Sequence, residues 1–81
     1  MVISIDFCGP QRMVTKTESI DMPIMERTRV ADALAYVKHH YPDLPLDGEM
    51  VLVTVNQKVA SLERVLRAND SVSFVPPIAG G

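Results

Sequence analysis

The sequence predicts an α+β domain, a mixed sheet crossed on one face by a single main helix, followed by a flexible extended tail. Three observations predict it. Apolar residues recur at every second position near both ends of the chain and at helical spacing once in the middle, and the chain closes on two prolines and then ever smaller residues. Two strands, one helix and then more strands belong to an α+β layer architecture rather than to alternating α/β units.

The first strand is read over Val2 to Phe7, where Ile3, Ile5 and Phe7 face one way and Ser4 and Asp6 the other. Gly9-Pro10 ends it, because proline has no N–H for a ladder and glycine tolerates the turn. A second strand around Ser19 to Met22, with Ile20 and Met22 on one face, completes a hairpin with a longish connection. The period then changes. Val30, Ala33, Leu34 and Val37 fall at i, i+3, i+4 and i+7, an amphipathic helix over about Thr28 to His40. Thr28 is the expected N-cap. Asp32 near one end and Lys38, His39 and His40 near the other suit the helix dipole. Pro42 stops it, since the residue before a proline avoids the α region.

Val51 to Val55 reads as a strand with Val51, Val53 and Val55 inward, and Asn56-Gln57 as a turn into a short strand near Val59-Ala60. Leu62, Val65 and Leu66 suggest a helical turn or a tucked loop, and Asn69-Asp70 a turn into the last strand, Ser71 to Val75. This order fits the β-grasp, or ubiquitin-like, arrangement among other small α+β folds, with first and last strands side by side in the middle of the sheet. The expected division is a domain over residues 1–75 and a tail over 76–81.

Composition narrows the function classes. A chain of 81 residues has room for one core, burying roughly 60–65% of the surface its unfolded form exposes. Lys and Arg number 8 against 10 Asp and Glu, and that balance argues against nucleic acid as the partner. One cysteine, Cys8, excludes an internal disulfide and a multi-cysteine metal site. Adjacent His39 and His40 point about 100° apart on a helix, poor geometry for one metal. Asp43, Asp47, Glu49 and Glu63 lie in or beside turns and serve solubility. With no apolar run of membrane-spanning length and no signal-like start, the expectation is a cytoplasmic protein that binds no membrane, metal or cofactor.

The chemistry is expected in the tail. Pro76-Pro77 leaves the sheet as a stiff stem, and Ala79-Gly80-Gly81 strips away side-chain bulk. Extended, six residues reach about 20 Å, enough to enter another protein's cleft through a constriction that a Cβ would block. A free carboxylate at Gly81 is a poor electrophile, but adenylation by ATP turns it into a mixed anhydride that a sulfur nucleophile can attack, leaving a thiocarboxylate.

The ending Val72-Ser73-Phe74-Val75-Pro76-Pro77-Ile78-Ala79-Gly80-Gly81 resembles the pattern V-x-F-F-P-P-V-x-G-G, and Phe7-Cys8-Gly9-Pro10-Gln11-Arg12 resembles F-F-G-P-x-R. Val30-Ala31-Asp32-Ala33-Leu34, His40-Tyr41-Pro42-Asp43-Leu44 and Val55-Asn56-Gln57 are similar to T-V-x-x-L, R-Y-P-x-L and V-N-x landmarks of the same proteins. These are the MoaD/ThiS ubiquitin-like sulfur carriers, and within them the small subunits of molybdopterin synthase. The resemblance spans nearly the whole chain. It implies that Gly81 is adenylated by a MoeB-like enzyme using ATP, sulfurated from a sulfur donor, and delivered into the large, MoaE-like subunit of the synthase. There its sulfur would pass to the pterin precursor of the molybdenum cofactor. By the same match Gly80, Ala79, Ile78, Pro77, Pro76, Val75 and Phe74 form the partner-docking stem. Alternation turns Phe74 inward beside Val72 and Val75 outward, so Val75 is the expected docking position. Cys8 and Val75 stand where the family commonly has aromatics, and Asn69-Asp70 replaces its usual Gly-Asp turn. Carriers for thiamine, cysteine or tRNA thiolation, a ubiquitin-like modifier joined through Gly81 to lysines, and a plain interaction module stay open. Deletion of Gly80-Gly81 separates the last from the others.

Overall fold

The computed structural model describes residues 1–44, 46 and 52–75. Its elements run β1 (Val2–Asp6), α1 (Gln11–Thr15), β2 (Ser19–Pro23), α2 (Val30–His40), β3 (Leu52–Val55), β4 (Lys58–Val59) and β5 (Ser71–Val75). The strands form one sheet in the order β2-β1-β5-β3-β4. β1 and β5 lie parallel in the middle, with Ile5 opposite Val72, and β2 and β3 flank them antiparallel. This is the β-grasp, or ubiquitin-like, arrangement that the pattern predicts.

The two periodicities meet in one core. Ile3, Ile5 and Phe7, then Val53 and Val55, then Val72 and Phe74 turn to one face of the sheet and are buried there. Val30, Ala33, Leu34 and Val37 of α2 are buried in the same cluster. Each of these side chains other than Ala33 contributes about 1.5–3 kcal/mol on withdrawal from water. Met22 of β2 joins them, while Ile20 is half-buried. β2 is an edge strand, which is why it accommodates Pro23. Val51 lies outside the described residues.

The structure corrects the helix start. The N-cap of α2 is Arg29, not Thr28. The Thr28 hydroxyl is occupied in the preceding turn, accepting from the Met25 N–H at 2.9 Å. An arginine side chain has no acceptor to offer the first turn, so the 61–66 loop does that work. Arg64 O accepts from Val30 N–H at 2.9 Å and Leu62 O from Ala31 N–H at 2.8 Å. Asp32 reaches back to the Arg29 N–H at 2.8 Å, the reverse arm of a capping box. The loop is thus tucked, as one of its two readings has it, with Leu66 buried and Val65 exposed. At the other end the His40 ring lies 2.9 Å from the Tyr36 carbonyl, in keeping with its expected place at the helix C-terminus.

A second correction concerns the β1–β2 connection, which contains the short helix α1 instead of a plain loop. Pro10 at its N-cap already has helical φ and ψ of −60° and −22°, and Lys16 closes it at φ 62°. Gly9 enters the turn at φ 38°, a conformation that costs glycine little.

Asn56 and Gln57 both take positive φ, 52° and 69°, as the tightest hairpin loops require. The same hairpin tip is tied to the start of β5. Asn56 Nδ2 donates to Asp70 Oδ1 at 2.9 Å, Asn56 Oδ1 accepts from the Ser71 N–H at 3.0 Å, and Asp70 Oδ2 accepts from the Arg67 N–H at 2.8 Å. Asn69 takes the left-handed φ of 70° that asparagine tolerates. Burial alone pushes the Asp70 pKa up. The Arg67 N–H, the Asn56 amide and the charges of Arg64 and Arg67 together outweigh it and hold the group below its ordinary value. A depressed folded-state pKa adds stability above the usual aspartate range, near pH 4, which is lost as pH falls through the folded value. The urea midpoint is therefore expected to drop on acidification in the native protein and less so in Asp70→Asn. Asp70→Ala is expected to cost about 1–3 kcal/mol by removing the buried carboxylate that accepts from the Arg67 N–H and the Asn56 amide.

Candidate functional site

Of the tail-forming residues singled out in the sequence, Phe74 and Val75 are described. Pro76, Pro77, Ile78, Ala79, Gly80 and Gly81 lie outside the described residues, as does the proposed tail unit they make up. The site can therefore be built up to its base, at the end of β5.

That base has two faces. Val72 and Phe74 point into the core, at 0% and 2% exposure. Val75 points the other way and is half-exposed on the open face. Leu52 is its register partner on β3 and is 49% exposed. Val59, paired with Thr54 one row further along, is 70% exposed. Alternation places these side chains on one surface, an apolar strip over β5, β3 and β4 beside the end of β5. Toward β1 the same surface turns polar, with Ser4 donating to Asp6 at 3.0 Å and Ser73 opposite Asp6. An apolar strip with a polar margin is suited to docking. Leu52 and Val59 were not singled out in the sequence, because their place beside Val75 depends on strand register.

Gln11 also belongs to this base. Its side chain, 5% exposed, donates through Nε2 to the Phe74 carbonyl at 2.7 Å and accepts through Oε1 from the Cys8 N–H at 2.9 Å. The neighbouring Arg12 Nε donates to the Phe7 carbonyl at 3.1 Å, and its guanidinium lies 4.0 Å from Glu18 in an exposed pair that contributes little. Cys8 is a free thiol of intermediate exposure at the end of β1. The His39 and His40 rings are 5.4 Å apart and nearly perpendicular, and no cluster of three metal-ligating side chains occurs among the described residues. Among those residues no helix is long and apolar enough to cross a membrane.

Residues 5–81 match the model of the ThiS family. The molybdopterin synthase sulfur carrier subunit of Dictyostelium discoideum is 33% identical over 64 residues, 76% of this chain and 73% of that protein. Its namesake from Mycobacterium tuberculosis is 32% identical over 66 residues, 82% and 80% of the two chains. Among solved structures, SAMP1 from Haloferax volcanii superposes with a TM-score of 0.86 at 20% identity, covering 100% of both chains. That last likeness concerns the fold. The β-grasp fold, with a family match that runs from residue 5 through Gly81, makes this chain a member of the ThiS family of ubiquitin-like sulfur carriers.

Proposed function

We propose that the chain carries sulfur as a thiocarboxylate on Gly81 and, as the small subunit of molybdopterin synthase, donates it to the pterin precursor of the molybdenum cofactor. The observation that carries this reading is that the family match extends to residue 81, so the Gly80-Gly81 ending lies inside the likeness rather than beyond it. The name shared by the two curated relatives supports the choice of pathway.

The chemistry follows from the carboxylate. A Gly81 oxygen attacks the α-phosphate of ATP held by a MoeB-like enzyme, and pyrophosphate leaves. Hydrosulfide from the sulfur donor then attacks the carbonyl carbon, AMP departs, and a C–S bond replaces a C–O bond. The chain supplies the acyl group and its slender approach; its partners supply ATP binding, activation and positioning. The MoaE-like large subunit then receives the charged tail.

Both partners must grip the same small body, and the strip of Val75, Leu52 and Val59 is the surface assigned to that grip. Val75→Asp buries an unpaired charge at such an interface. It is expected to raise the KM of the activating enzyme for the carrier about tenfold, equivalent to about 1.4 kcal/mol. The melting temperature should change little, since Val75 is half-exposed.

Intact mass spectrometry after incubation with ATP, a MoeB-like enzyme and a sulfur donor tests the proposal. A gain of about 16 Da, oxygen replaced by sulfur on an activated acyl group, is expected. High-mass adducts on lysines without that gain would favour the protein-modifier reading, and no gain at all would reject the carrier.

A further inference from the structure

We propose that Gln11 is a positioning residue that fixes the end of β5, and with it the point from which residues 76–81 continue. The consequence for charging rests on the sulfur-carrier reading above; the tether itself does not.

The last β1–β5 pair is Asp6 with Ser73. One residue later β1 has ended, and the chain turns through Cys8, Gly9 and Pro10 into α1. From Phe74 onward β5 therefore keeps β3 on one side, through Val53–Phe74 and Leu52–Val75, and has lost its strand neighbour on the other. The Gln11 amide takes that vacated side. It bonds the Phe74 carbonyl at 2.7 Å across a separation of 63 residues. Its other end is anchored by the Cys8 N–H at 2.9 Å, so the amide is held from behind and its orientation is set. A buried amide with both ends engaged stands in for a stretch of strand.

Seven residues, 75–81, follow the tethered carbonyl. A chain of that length spans at most about 25 Å when extended, so a shift at its foot is carried to Gly81. With Gln11 absent, β5 is held from one side only over its last two residues. A less firmly fixed foot presents Gly81 less often at the entrance of a partner's cleft. The acyl chemistry belongs to the partner and is untouched. The expected signature is thus a KM effect with kcat preserved.

Two full-length variants test this. Gln11→Met keeps length and removes both bonds; Gln11→Glu, examined at pH 8, keeps an acceptor for Cys8 and replaces the donor to Phe74 with a carboxylate. The heteronuclear NOE at the Phe74 and Val75 amides is expected to fall in both, in protein whose urea transition shows it folded. The KM of the MoeB-like enzyme is expected to rise about three- to tenfold with kcat unchanged. Wild-type order at Val75 in both variants, or lowered global stability with KM unchanged, would overturn the proposal and leave Gln11 a structural cap. If the native chain cannot be charged at all, the carrier reading fails, while the NOE still decides the tether.

Discussion

Deletion of Gly80 and Gly81 is expected to abolish sulfur loading by roughly a thousandfold or more, the scale of effect that follows when a reacting group no longer reaches its site. The melting temperature is expected to be unchanged, since neither glycine has a side chain to bury. The same separation of effects should appear on replacement of Gly81 by valine. The carboxylate is then still present, and the added branched side chain must pass a channel that admits glycine. Loss of loading with an intact fold identifies the tail as the reacting element; loading that survives either change would place the chemistry elsewhere.

Phe74→Ala is expected to produce the largest loss of stability. The ring is 2% exposed and packs in the cluster formed by β1, β3, β5 and α2. Truncating such a residue removes its transfer free energy and leaves a cavity, together about 3–5 kcal/mol. A chain of 81 residues has in total about 4–12 kcal/mol at the usual stability per residue, so the variant stands near its unfolding threshold. Urea denaturation monitored by circular dichroism measures this directly. The position also couples stability to function, because the Phe74 carbonyl is the atom that Gln11 holds.

The elements that could be read from sequence are those whose evidence is local. Ile3, Ile5 and Phe7 show the period of a half-buried strand, and Val30, Ala33, Leu34 and Val37 that of a helix. All seven are buried as the spacing requires. Asn56-Gln57 and Asn69 announced turns by residue type alone, and the backbone adopts positive φ at each. What escaped the sequence depends on partners distant along the chain. Helix α1 has exposed Met13 and Val14 and so no apolar stripe to betray it. The cap of α2 is supplied by carbonyls of residues 62 and 64, which no inspection of residues near 28 reveals. Asp70 looks like a turn residue until Asn56 is brought to it. Gln11 occupied the unspecified position of the F-F-G-P-x-R-like segment, and its role became visible only against Phe74. For the candidate site, residue type is what suggests the chemistry proposed for the tail, and alternation correctly divided Phe74 from Val75. The docking strip required the register of β3 and β4.

The most direct measurement is top-down fragmentation of the sulfurated protein. The central claim predicts that the whole gain of about 16 Da sits in C-terminal fragments that contain Gly81, as one acyl oxygen exchanged for sulfur. A shift carried by fragments containing Cys8 instead, as the gain of about 32 Da that a thiol acquires on becoming a persulfide, with the Gly81 fragments at native mass, would contradict it.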